Sequence, residues 1–147
     1  MADLAVTAAN VRELDAVKND RVTMIADEAI TAGQVVYRKT NGRAAKARGN
    51  AVGTAKVVGI ATAAAGQGDS FKALYRGRMV GHDVSGLNPG VTVYLSAATA
   101  GAIDGAAVTG SGNVVATLGT VHVMTDVGAT KYILFDIPQN AVPVALS

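Results

Sequence analysis

The sequence predicts an all-β fold: a compact β-sandwich or barrel built from two similar β units, with an N-terminal arm or short helix. Three observations carry this. The 147 residues include seventeen glycines but three prolines and six aromatics, and half are hydrophobic, much of that Ala and Val. Such a small-residue, β-branched, turn-rich chain favours sheets over helical bundles. Short alternating segments recur between turn signals. Finally, the chain says nearly the same thing twice, in "AGQVVYRKTNGRAAKA" from Ala32 and "NPGVTVYLSAATAGAI" from Asn88.

Residues 1–20 read either as a short helix, through the spacing of Val6, Val11, Leu14 and Val17 with Asn10 as a cap, or as an extended arm. "RVTMIAD" then reads as a strand. "GQVVYRK" and "RAAKA" form a hairpin, with Asn41-Gly42 as a two-residue turn because both positions tolerate positive φ. "KVVGIATAAA", the turn "GQGD" and "SFKALYRG" supply the next two strands, and "RMVGHDVSGLNPG" is a connector. "VTVYLS" opens the second half, followed by the loop "GSGN", the long strand "VVATLGTVHVMTD", the turn "VGAT" and the strand "KYILFDI". Pro138 ends the pattern, leaving 138–147 as a tail that packs on a neighbour or stays loose. The expected organisation is an arm over 1–20, one β domain over 21–137 and the tail.

The repeat holds at finer grain. Gly33, Val36 and Tyr37 match Gly90, Val93 and Tyr94 at an offset of 57, and Thr40 and Gly42 match Thr99 and Gly101 at 59. Val58 and Gly59 match Leu118 and Gly119 at 60, as Gly68, Ser70, Leu74 and Tyr75 match Gly128, Thr130, Leu134 and Phe135. The units span about 29–76 and 87–136, each with three aromatics. Neither alone could cover its apolar face, whereas two packed together could.

Composition also excludes. With no cysteine, disulfides, thiolate zinc sites and cysteine nucleophiles are ruled out. A net charge of +2 is too small to argue for nucleic acid. No apolar run approaches the roughly 20 residues of a membrane span, and the acidic, weakly apolar start is no secretory signal, so synthesis in the cytoplasm is expected.

His82-Asp83 reads as a general base with its orienting carboxylate or as a polar turn. No serine sits in a nucleophile-elbow context. His122 falls on the strand face opposite Val121 and Val123, as a surface or interface histidine. Asp27-Glu28 and Asp15-Asp20 do not form a calcium loop. "GQGD" lacks the ending of a phosphate loop. The sharpest charge feature is Arg38, Lys39, Arg43, Lys46 and Arg48 around the first hairpin, whose counterpart in the second unit carries no positive charge. The cluster reads as a docking patch for an acidic protein surface, as phosphate contacts, or as a solvated edge that discourages strand-to-strand aggregation.

"VVGIATAAA", "GDSFKALYRG" and "GLNPGVTVYLSAATAGAI" carry a resemblance. In order, Val58 to Ala65, Gly68 to Gly77 and Leu87 to Tyr94 resemble the strand texture of the small head-decoration, or cement, proteins of tailed bacteriophages, over roughly Ala29 to Asp136. The resemblance implies a non-enzymatic structural protein without cofactor or metal, made in the host cytoplasm and carried on the outer head surface of the virion. Its implied partners are the major capsid protein and copies of itself, a trimer being favoured over a dimer, with no nucleic acid and no membrane. Arg38, Lys39, Arg43, Lys46 and Arg48 are then the candidate capsid-docking patch, and Val6, Val11, Leu14 and Val17 a candidate N-terminal clamp. The alternatives are another phage structural β protein, such as a tail-tube or fibre component, or a ligand-binding β module.

Overall fold

The computed structural model describes residues 3–14, 18–124, 130–139 and 144–147. Among these residues ten strands make one sheet: β1 (Arg12–Leu14), β2 (Asp20–Ile25), β3 (Val35–Arg38), β4 (Ala44–Lys46), β5 (Val57–Ala61), β6 (Ser70–Val80), β7 (Thr92–Leu95), β8 (Ile103–Asp104), β9 (Thr117–Met124) and β10 (Thr130–Asp136). No α-helix occurs among the described residues; Ala8–Asn10 and Val52–Thr54 are single 3₁₀ turns.

The sheet runs β4-β3-β5-β6-β10-β9-β7-β8, with β1 and β2 also on β6. Read outward from its centre, each half has the same connectivity, and the register repeats with it. Val36 lies opposite Gly59 and Tyr37 opposite Val57, with a bulge between; Val93 lies opposite Gly119 and Tyr94 opposite Thr117, with the bulge at the same place. Ile60 and Ala61 face Leu74 and Ala73, as Thr120 and Val121 face Leu134 and Ile133. The matched turn glycines share a left-handed conformation, Gly33 at φ 90° with Gly90 at 91°, and Gly42 at 86° with Gly101 at 82°. Where the halves meet, Arg76 of β6 lies opposite Asp136 of β10, its own equivalent 60 positions on, as a local two-fold relation requires.

The strand β6 ties the halves together. Leu74 pairs with both β5 and β2, and Met79 with both β10 and β1, so both edges of β6 are filled at these points. The strand runs past Gly77 through "RMV", which the sequence predicts as a connector, because these partners satisfy the backbone beyond that glycine.

The halves differ in what they bury. On one face of the first half, Val36, Ala61, Ala73 and Phe71 join Met24, Ala26 and Ala44 in a small core. It closes where Ala26, just after β2, bridges Ala44 of β4. Small side chains, chiefly alanine, fill it. On the other face, Val35, Ile60 and Leu74 meet Val93, Val121, Ile133 and Phe135 in the main core. The first half is thus buried on both faces, which explains its unbroken "VV" and "IA" pairs. The second half has its core on one face; on the other, Thr92, Thr120 and Leu134, the equivalents of Val35, Ile60 and Leu74, stay half-exposed, and Tyr132 is the large side chain covered there, under His122 and Arg78.

At matched positions two glycines allow close approach of strands. A Cβ on Gly59 would stand 2.8 Å from the Leu74 carbonyl oxygen, and one on Gly119 would collide with the Leu134 carbonyl oxygen. Gly119→Ala is expected to destabilise the protein by about 2–3 kcal/mol, through strain at a backbone contact that cannot swing away. Urea unfolding measures it, and a loss below about 0.5 kcal/mol would show the contact to be yielding.

Candidate docking surfaces

The first hairpin is built as expected except at its tip. Lys39 N–H donates to the Arg43 carbonyl and Gly42 N–H to the Lys39 carbonyl. The loop is therefore three residues, 40–42, and not the two-residue turn read from Asn41-Gly42. Only the glycine needs a left-handed φ in this bulged type, and the Asn41 side chain instead accepts from Arg43 N–H at 2.9 Å.

The five cations do not form one free patch. Lys39 Nζ lies 2.6 Å from Asp27 Oδ2, and Lys46 Nζ lies 3.7 Å from Glu28 Oε1. Arg48 Nε donates to the Ala97 carbonyl of the second half at 2.9 Å. Arg38 and Arg43 remain exposed at the tip. The acidic pair was missed as a partner because it precedes the hairpin by many residues. The Ala26–Ala44 bridge and the bond from Asp27 N–H to the Ala44 carbonyl bring it alongside. The bond from Lys39 holds the Asp27 carboxyl below its usual pKa, with Asn41 adding to it.

A folded pKa below the unfolded one means that this contribution to stability is present above the usual carboxylate range and is lost as pH falls through it. Asp27→Asn is accordingly expected to leave the fold intact while speeding amide exchange at Lys39 and Gly42 at neutral pH, an effect that vanishes in acid. Equal exchange in both proteins at neutral pH would show that the ion pair does not hold the tip.

The candidate clamp lies along the molecule's own body. Residues 3–14 form a strap: Leu4 N–H donates to the Ile103 carbonyl, Thr7 N–H to the Gly81 carbonyl and Asp83 N–H to the Ala5 carbonyl, and β1 then pairs with β6. Val6 is exposed, whereas Val11 packs against the main core and Leu14 is half-buried. Val17 lies outside the described residues. At the other end, the tail's Ala145 bridges Val114.

His82 and Asp83 do not act on each other. The Asp83 carboxylate takes the hydroxyl of Ser85 at 2.6 Å and its N–H at 3.1 Å, and these bonds lower its pKa. His82 is buried, with Nε2 donating to the Gly33 carbonyl at 2.9 Å and its ring edge-on to Phe135. Its Nδ1 is buried without a partner, and burial pushes its pKa below the usual value. An imidazole aimed away from its carboxylate neighbour is not the general-base pair allowed by the sequence.

His122 stands on the solvent side of β9, as expected. It stacks on Tyr132 with ring centres 5.6 Å apart, and Arg78 covers the Tyr132 ring at 5.4 Å. This cross-strand stack was not legible because β6, β9 and β10 bring its members from distant positions. Among the described residues, no group of three or more His, Asp or Glu side chains could hold a metal ion, and no helix is long and apolar enough to cross a membrane.

Comparison with known proteins finds no matching family model, no matching curated protein and no matching solved structure.

Proposed function

We propose that the chain is a structural virion protein that binds the outer surface of an icosahedral phage head and reinforces contacts between major capsid subunits. The observation that carries this reading is the succession of strand motifs from Val58 to Tyr94 and its likeness to head-decoration proteins. Two features of the fold support it. The two halves pair edge to edge, β6 on β10, into one continuous sheet, so a single body can bridge neighbouring shell subunits. The tip of the first hairpin offers Arg38 and Arg43 to solvent, with the other cations engaged beneath them, so an acidic capsid surface would meet a preformed contact. Many copies on a symmetric shell, working as trimers, make modest single contacts sufficient.

Sedimentation of purified protein with DNA-filled heads tests the reading. The protein is expected to pellet with heads. Binding to isolated tails alone would favour the tail-tube or fibre alternative, and binding to neither would remove the virion reading.

A further inference from the structure

The strap and His82 form one unit. Residues of the strap pair through their backbones with both sides of the histidine: Thr7 with Gly81, Val6 with His82 itself and Ala5 with Asp83. Gly33, whose carbonyl accepts the hydrogen bond from the imidazole N–H, lies directly under Val6 and Val11; a Cβ there would stand 2.7 Å from one and 3.0 Å from the other. The strap therefore roofs the bond between His82 and Gly33. Its side chains from Ala5 to Asn10 are all exposed; Leu4 and Val11 pack against the main core on either side of them and Glu13 pairs with Arg21, so over the histidine itself the strap is held by backbone pairing between these flanking contacts.

We propose that His82 is an acid-sensitive latch, whose protonation releases the N-terminal strap, residues 3–14, from the body of the protein. With Nε2 already donating to Gly33, a second proton must go to Nδ1, which is buried and faces no acceptor. An imidazolium there would be a buried cation with one unmet donor. The charged groups around the open groove of about 590 Å³ beside it do not relieve this. Arg12 from β1 and Lys131 from β10 are cations, and Asp83 is held by Ser85. From the main core the ring meets Phe135 edge-on, which offers the imidazolium no acceptor. Lifting the strap hydrates the ring and removes the penalty.

The sign follows from linkage. The histidine is harder to protonate with the strap closed, so the open form binds more protons and gains on the closed form as pH falls below the ordinary histidine range. The released segment would be an extended chain with unpaired backbone groups, able to pair with another sheet edge. This inference does not depend on head binding.

Amide exchange at single-residue resolution tests it on the full chain, corrected for the intrinsic effect of pH, between about pH 7.5 and 5. Protection at Leu4, Thr7 and Asp83 is expected to fall by about tenfold or more, while Val121, in the main core, keeps its protection. The midpoint should coincide with the NMR titration of the His82 ring. His82→Gln, which keeps a donor for Gly33 but does not titrate, should make strap protection independent of pH. Should that variant not fold, the coincidence of midpoints in the unmodified protein decides alone. Unchanged strap protection, simultaneous loss at Val121, or a pH dependence that survives His82→Gln would each overturn the latch.

Discussion

Replacing Phe135 with alanine is expected to lower the free energy of unfolding by about 3–5 kcal/mol, as for other large aromatic truncations in closed cores. Phe135 is fully buried in the main core and lies opposite Gly119 on one side and Gly77 on the other. Flanking glycines have no side chains to fill the space, so the cavity would persist, and His82 would lose the ring on which it packs. Its equivalent, Tyr75, is only half-buried, and Tyr75→Ala should cost clearly less. Urea unfolding of both variants measures the difference. Equal losses would mean that the halves contribute alike to the main core, against the burial asymmetry described above.

Reversing the charge at Arg38 and Arg43 together is expected to weaken head binding at least about tenfold at low salt, with the gap narrowing as salt rises toward 0.5 M and charges are screened. Lys39→Glu or Lys46→Glu would confound this test, because each would place a carboxylate against Asp27 or Glu28. Both arginines are exposed, so stability should change by no more than about 0.5 kcal/mol, and a loss of binding would report on the contact itself. Unchanged affinity and salt dependence in the double reversal would reduce the hairpin charge to solvation.

Much of the fold could be read from residues alone because the repeat is written in its special positions. Gly33 and Gly90 reverse the chain before a strand, Gly42 and Gly101 do so at a hairpin, and Gly59 and Gly119 let a neighbouring carbonyl approach. Such sites admit few other residues, so they kept the pattern visible. Less legible was what each face meets. Whether Val36 and its equivalent Val93 line a small curl or the central core depends on β2 closing over one half only, a long-range event with no local signature. The candidate site shows the same limit. The charge cluster was plain in the sequence, but its neutralisation by Asp27 and Glu28 depends on a bridge between distant residues. The partly helical spacing of the N-terminal segment reflected occasional inward contacts of a strap, as at Val11, and not a helix face.

The most direct test of the proposed function is cryo-electron microscopy of heads incubated with the purified chain. Extra density of this two-unit β body is expected on the outer surface, at junctions between capsid subunits, with the hairpin carrying Arg38 and Arg43 turned toward the shell. Bare heads at saturating protein, or density confined to tails, would contradict it.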